Sequence, residues 1–186
     1  MPVTSGHDPA PASFAPVRLE RRFDLADEAA TDAFGARFAN AIVAIVASGA
    51  SREPLAGLQV QLAGDLGAGK TSLVRATLRA LGHAGRVRSP TYTLVEPYTI
   101  DTPSGELQLY HFDLYRFSDP AEWADAGFRE YFDAGAVCLV EWPQRALTLL
   151  GVPDLVLTLE PGANGEGRVL TAHAYSESGK ACLERC

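Results

Sequence analysis

Residues 57–82 read GLQVQLAGDLGAGKTSLVRATLRALG, and they contain the strongest structural signal in the chain. Apolar and polar residues alternate over residues 58–62, which predicts a strand. The glycine-rich stretch 64–71 follows directly. Helical spacing of apolar residues then predicts a helix over residues 72–81, with Gly82 as its C-terminal stop. Phosphate-binding loops are found in this context, between a strand and the helix that follows it.

The glycine-rich stretch GDLGAGKT matches the pattern G-x-x-x-x-G-K-[ST] at every defined position. Its glycines allow the backbone to turn successive N–H groups toward one anion at the positive end of the following helix. We expect Lys70 to bridge the terminal phosphates of a nucleotide and the Thr71 hydroxyl to ligate Mg²⁺. The chain has only two lysines, Lys70 and Lys180, so one of them stands where a point cation is needed.

A phosphate-binding loop of this kind works with a carboxylate at the end of a neighbouring strand. Asp113 ends the alternating run LYHFD, and Glu141 ends the apolar run AVCLVE. The pattern favours Glu141, because a buried parallel strand beside the loop strand should be continuously apolar. Two other interpretations stay open at this point, in which Asp113 is a turn or capping acid and Glu141 is a solvated strand end.

The segment SPTYT, residues 89–93, follows the predicted loop helix and carries three aliphatic hydroxyl side chains, one of serine and two of threonine. Such a segment could order around a γ-phosphate and magnesium, as switch loops do. An ordinary proline turn leading into a strand is an equally good interpretation. His111 and Trp142 flank the two candidate acids, and packing is the expected role of such residues.

The remaining pattern predicts an α/β fold, a mixed sheet with antiparallel additions that is flanked by helices. The predicted elements are a strand over residues 17–23, a helix capped by Asp27, strands in TYTLVEPY and ELQLYHFDLY with a loop over 99–106, a helix from Asp119 to Gly127, a helical turn in FREYF, a buried strand in AVCLVEW, and a final hairpin of DLVLTLE and RVLTAHAY.

The composition indicates one compact domain of 186 residues, with 47% hydrophobic and 21% charged residues. Residues 1–16 are predicted to be a disordered leader, residues 17–175 the domain, and residues 176–186 a polar tail. The apolar run at 41–47 is too short to span a bilayer, so we expect no membrane segment and a cytoplasmic location. Three cysteines without zinc-site spacing argue against a disulfide framework or a structural metal.

The net charge of −7, from 16 Lys and Arg against 23 Asp and Glu, makes autonomous binding to nucleic acid or to an anionic membrane unexpected.

Four motifs in order, GDLGAGKT, SPTYTLVEPY, LYHFDLYR and VCLVEWPQR, closely resemble the TsaE (YjeE) family of bacterial tRNA threonylcarbamoyladenosine synthesis. The resemblance covers residues 17–175. It implies an ATPase with a phosphate-binding loop that needs ATP and Mg²⁺, is slow alone, and docks on TsaD and TsaB. It also implies that the chain supports multiple turnovers of that pair and reaches tRNA only through the complex.

Carried onto this chain, the resemblance implies three catalytic residues, Lys70, Asp113 and Glu141, and metal contacts from Thr71, Asp113 and Glu141. The implied nucleotide-binding residues are Asp65, Leu66, Gly67, Ala68, Gly69, Lys70, Thr71, Ser72, Thr93 and Trp142. Gln144 departs from the family pattern, where Glu is common. Two other classes share the loop: a small-molecule or nucleoside kinase, and a nucleotide-binding adaptor without useful hydrolysis. A GTPase is disfavoured because N-K-x-D is absent from the sequence.

Overall fold

The computed structural model describes residues 15–49, 57–133 and 135–186. The predicted leader, apart from its last two residues, lies outside this part of the chain. The strands are β1 Leu19–Leu25, β2 Leu58–Ala63, β3 Val95–Thr102, β4 Gly105–Asp113, β5 Val137–Glu141, β6 Leu155–Pro161 and β7 Arg168–Ala174. The helices are α1 Glu28–Gly49, α2 Lys70–Ala80, α3 Ala121–Asp125, α4 Arg129–Asp133 and α5 Glu177–Leu183, with 3₁₀ turns at Pro143–Arg145 and Leu147–Leu150.

The seven strands form one mixed sheet in the order β1-β7-β6-β2-β5-β4-β3. Strand β2 is central and pairs in parallel with β5 and β6, and β4 pairs in parallel with β5. Strands β3, β7 and β1 join by antiparallel pairing. The predicted fold class, an α/β mixed sheet with antiparallel additions and flanking helices, is therefore confirmed.

Both faces of the sheet are covered, which explains the apolar character of its inner strands. All five residues of β5 are buried, as expected for a parallel strand between two neighbours. Helices α1, α2 and α5 cover one face. On the other face an aromatic cluster forms around Phe112, whose ring contacts Trp123, Phe128 and Phe132.

Helix α1 begins where the sequence predicts, because the Asp27 carboxylate accepts a hydrogen bond from the Ala30 amide at 2.8 Å. By length and hydropathy, residues Glu28–Ser48 would also be able to cross a membrane. In the structure, however, Phe34, Phe38 and Ile42 are buried in the core that α1 shares with α2. Helix α1 is therefore a core helix of an α/β domain.

The segment before β3 differs from the prediction. Residues 91–94 form a turn rather than the start of a strand, and β3 begins at Val95. Leu94 adopts a left-handed conformation (φ 67°), and its carbonyl accepts the Asp113 amide at 3.0 Å. The loop expected over 99–106 is shorter, since Thr102 pairs with Gly105 across the hairpin.

The structure differs from the predicted polar tail over residues 176–186. These residues contain helix α5 and pack against the core. Ser176 caps α5 by accepting the Gly179 amide at 2.9 Å. Cys182 and Leu183 are buried in the same core as helix α1. Polar residues dominate the local sequence, but the two apolar side chains that matter for packing are adjacent and lie on the inner face of the helix.

Candidate functional site

A cleft of about 310 Å³ lies at the C-terminal ends of β2, β4 and β5, above the N-terminus of α2. The loop between β2 and α2 forms its floor. Gly64 has a φ of 138°, and a Cβ there would lie 2.5 Å from the carbonyl oxygen of Leu159. Gly69, with a φ of 101°, is the N-cap residue directly before α2. Both positions require glycine, and together they direct the start of α2 toward the cleft.

Lys70 is the buried cation of the cleft, with only 4% of its surface exposed. Its Nζ donates to the carbonyl oxygens of Gly64 at 2.5 Å and Asp65 at 2.8 Å. The same ammonium lies 4.1 Å from the centroid of the Trp142 ring, a cation–π contact. Burial lowers the pKa of Lys70, and the nearby carboxylates, first Glu141, oppose that shift.

Glu141 and Thr71 are in direct contact across the cleft. The Thr71 hydroxyl donates to Glu141, 2.9 Å from Oε1 and 3.2 Å from Oε2. A third residue joins them from β4: Nε2 of His111 lies 2.8 Å from Oε1 of Glu141. His111 is fully buried, and among the described residues its Nδ1 has no hydrogen-bond partner. The sequence suggested packing for His111, whereas the structure places it in this polar contact.

Asp113 lies beside Glu141 because the two residues are register partners at the ends of β4 and β5. Its Oδ2 accepts from the hydroxyls of Ser89 at 2.8 Å and Thr91 at 3.2 Å. Its Oδ1 accepts the Tyr115 amide at 3.0 Å. Asp113 therefore has features of both interpretations: it holds the turn after β4 through the Tyr115 amide, and it is a buried acid at the strand end that joins the SPTYT segment to the cleft.

Trp142 closes one wall of the cleft from an unusual backbone conformation. Its φ of 58° and ψ of 47° are left-handed, which is rare and strained for a bulky residue. The ring contacts that of Tyr115 at 4.9 Å between centroids. This conformation is what brings the indole over the Lys70 ammonium immediately after the end of β5.

Most residues of the predicted site line this one cleft: Leu66, Gly67, Gly69, Lys70, Thr71, Ser72, Asp113, Glu141 and Trp142. Three do not. Asp65 contributes its carbonyl to Lys70, Ala68 is buried, and Thr93 lies outside the cleft, where its hydroxyl donates to Glu96 at 2.8 Å. Arg86 and Arg88, the cluster relevant to a kinase lid, are absent from the lining.

The cleft also contains residues that were missing from the predicted site, namely Ser89, Thr91, Tyr115 and Arg168. The hydroxyls of the SPTYT segment were a usable signal for the first two. Arg168 comes from β7, about a hundred residues after the loop, and no local pattern marks it. Its guanidinium lies against Gly69, since a Cβ on Gly69 would be 2.5 Å from Nε of Arg168. Among the described residues, no hydrogen bond or salt bridge of this guanidinium is found.

The oxygen ligands in the cleft fit Mg²⁺. Thr71, Asp113 and Glu141 offer one hydroxyl and two carboxylates, which are the hard donors that this ion prefers. In the described part of the chain, no group of three or more His, Cys, Asp and Glu side chains is arranged as a metal site. Magnesium bound in proteins usually keeps several waters and is held by one or two carboxylates together with phosphate oxygens.

The strand order and the glycine-rich loop between β2 and α2 define a protein of the P-loop fold. Residues 25–169 match the family model described as "Threonylcarbamoyl adenosine biosynthesis protein TsaE". The chain belongs to the TsaE family, and its role accordingly lies in tRNA threonylcarbamoyladenosine biosynthesis.

Curated relatives and a solved structure agree with this assignment. The chain is 40% identical to the TsaE protein of Haemophilus influenzae over 136 residues, 73% of this chain and 79% of the relative. It is 34% identical to the Treponema pallidum TsaE protein over 116 residues, 62% of this chain and 82% of the relative. The crystal structure of Bacillus subtilis YdiB superposes with a TM-score of 0.63 at 27% identity, covering 89% of this chain and 93% of that one.

Proposed function

We propose that this chain binds ATP with Mg²⁺ in the cleft and hydrolyses it in support of tRNA threonylcarbamoyladenosine synthesis. The observation that carries the proposal is the convergence of Lys70, Thr71, Asp113 and Glu141 in one cleft at the ends of three adjacent strands. A cation, a hydroxyl and two carboxylates around a helix N-terminus are the groups that phosphoryl transfer to water requires.

Lys70 neutralises phosphate charge in this proposal. Two backbone carbonyls and the indole of Trp142 hold its ammonium at the loop, and a phosphate would take the place of the carbonyls as the acceptor. Burial strengthens the attraction of this cation for an anion in the cleft. Arg168, whose guanidinium lies against Gly69 at the start of α2, supplies a second positive charge to the polyphosphate.

The hydrogen bonds of the two acids differ, and they support a different role for each acid. Glu141 is bonded to Thr71, so this pair would hold the magnesium ion from one side of the cleft. When bound, the ion supplies charge stabilisation to the transferring phosphoryl group. Asp113 is bonded to Ser89 and Thr91 rather than to Thr71, so its carboxylate, once released by these two hydroxyls, would orient the attacking water and accept a hydrogen bond from it.

The slow rate expected of the isolated chain follows from the contacts that nucleotide must displace. Lys70 is bonded to Gly64 and Asp65, and Thr71 is bonded to Glu141. A partner that rearranges the SPTYT segment would release Asp113 from Ser89 and Thr91. We propose that docking on TsaD and TsaB, in the cytoplasm, causes this rearrangement. The tRNA would be held by those partners, because this chain has a net charge of −7.

Reconstitution tests the proposal most directly. Multiple-turnover tRNA modification by TsaD and TsaB should require this chain and ATP, and ATP hydrolysis by the chain should rise when they are added. A fast hydrolysis that ignores both partners contradicts the docking proposal. Transfer of phosphate to a small-molecule acceptor, with no effect on tRNA modification, would instead favour the kinase alternative.

Two acid variants separate metal binding from water positioning. Glu141→Gln should weaken magnesium-dependent nucleotide binding, whereas Asp113→Asn should keep binding and lose turnover. Glu160→Gln is the matched control, because Glu160 is an exposed acid near the end of β6. Equal loss of affinity in both variants would contradict the division of roles.

A further inference from the structure

His111 is the one fully buried histidine among the described residues, and it lies next to the proposed reacting groups. It occupies β4 two residues before Asp113, on the face of the sheet that also buries Leu107 and Leu109. Leucine at those two positions fills the core without any polar atom. Imidazole at position 111 does something that leucine cannot do, because it can donate a hydrogen bond to a carboxylate.

Beside an ionised Glu141, the contact requires a hydrogen on Nε2 of His111. An ionised carboxylate only accepts hydrogen bonds, so Nε2 of His111 carries the hydrogen that Oε1 of Glu141 accepts at 2.8 Å. Nδ1 is buried and has no partner in the described part of the chain. A buried polar atom left unpaired is unfavourable, so packing alone is a poor reason for this residue type here.

The hydrogen bonds from His111 and Thr71 restrict the conformations that the Glu141 side chain can adopt. A glutamate has several rotatable bonds, and holding it in one geometry costs conformational entropy. His111 fixes Oε1 from inside the sheet, while Thr71 contacts both oxygens from the loop side. With Oε1 held by both donors, Oε2 is left with only the longer 3.2 Å contact from Thr71.

We infer that His111 is a positioning residue, which acts through Glu141 by holding Oε1 so that Oε2 and the Thr71 hydroxyl are pre-arranged for a magnesium nucleotide. The inference rests on the proposed function, since it concerns how that cleft binds and hydrolyses ATP. Residues that orient metal-contacting groups in this way commonly change affinity or activity by about 10–100-fold when they are replaced.

A pair of neutral polar variants tests the inference. In His111→Gln the amide nitrogen stands near the position of Nε2 and can still donate to Glu141. In His111→Asn the amide is nearer the position of Nδ1 and falls short of that carboxylate. We expect kcat for ATP hydrolysis to fall about 10–100-fold in His111→Asn and to stay within about threefold of wild type in His111→Gln.

Nucleotide binding gives a readout that does not depend on turnover. Calorimetric titration with ADP should show equal affinity of wild type and His111→Asn in EDTA, whereas the gain in affinity on adding Mg²⁺ should be lost only in the variant. Leu109→Val is the matched packing control, because Leu109 lies in the same strand and is fully buried. It should lower thermal stability while keeping the magnesium response.

Three results would overturn the inference: a normal kcat and magnesium response in His111→Asn, equal defects in the Gln and Asn variants, or the same defect in Leu109→Val. If the wild-type chain neither binds nor hydrolyses ATP, the proposed function fails as well. An active wild type beside an unaffected His111→Asn removes only the role of His111.

Discussion

The strongest single test replaces one lysine and uses the other as its control. Lys70→Met removes the ammonium from the cleft and keeps most of the length and volume of the side chain. Lys180→Met makes the same chemical change in α5, where the side chain is 41% exposed and Nζ is 4.0 Å from Glu184. The chain has no further lysine, so the two variants together test every lysine ammonium group of the protein.

The magnitude follows from the burial of Lys70. A charge pair about 4 Å apart in a protein environment of effective dielectric constant about 20 gains about 4 kcal/mol. Part of this is offset, because the contacts of Nζ with Gly64 and Asp65 must be given up. A net loss of about 2–4 kcal/mol on substitution predicts that the Kd for an ATP analogue rises about 30- to 1,000-fold.

The stability of the variant should behave differently from its affinity. Burial already disfavours the charged form of Lys70, as its lowered pKa indicates, so removing the charge relieves that cost while two hydrogen bonds are lost. We expect the free energy of unfolding to change by no more than about 1 kcal/mol, which is a Tm shift of about 2–4 °C. Lys180→Met should change neither quantity, because an exposed ion pair contributes little.

Isothermal titration calorimetry with a non-hydrolysable ATP analogue and Mg²⁺ measures the affinity, and circular dichroism measures the Tm. The reasoning is refuted if Lys70→Met binds within about threefold of wild type, or if Lys180→Met is equally impaired. A large fall in Tm in Lys70→Met alone would show that the lysine supports the fold rather than the ligand.

Three further predictions test other parts of the structure. Arg168→Ala should weaken nucleotide binding about tenfold in the same titration, because a charged hydrogen bond contributes about 1.5 kcal/mol or more, whereas Arg129→Ala on α4 should have no effect. Leu183→Ala should lower the free energy of unfolding by about 3 kcal/mol in urea titrations, since Leu183 is buried in the core, while Leu149→Ala, at a 45% exposed position, should cost less than about 0.5 kcal/mol. Burial raises the pKa of Cys138 from 9.0 to about 12, so the unfolded chain loses that proton first and stability should fall as pH rises from about 9 to about 12. In reductant, Cys138→Ala should remove that part of the pH dependence, and an unchanged slope would contradict it.

Local patterns in the sequence were sufficient for much of the fold. The strand at β2, the loop and α2 follow from alternation, glycine placement and helical spacing within one short segment. The continuous apolar run before Glu141 predicted a buried strand, and β5 is buried at every residue. Such signals are readable because they depend on backbone geometry and on burial that repeats with the period of the element.

Other features were not evident from the sequence because the groups that determine them are far apart in the chain. Helix α5 was taken for a polar tail, since only its burial against α1 reveals which residues matter. For Thr93, which the resemblance implies as a nucleotide-binding residue, the structure shows a hydrogen bond to Glu96 in the turn before β3, and the nucleotide role stays a prediction. A short run of polar residues does not disclose which of them will meet a partner in another strand.

The amino-acid order alone predicts a phosphate-binding loop, with Lys70 and Thr71 at its end, because a loop of this kind is built from consecutive backbone amides and two adjacent side chains. The assembly of the cleft is a property of the folded chain. Parallel pairing of β4 with β5 sets Asp113 beside Glu141, and antiparallel pairing of β7 with β6 brings Arg168 to Gly69. These contacts join residues 28 to 99 positions apart, and the pairing of strands that are distant in the chain determines which of them meet.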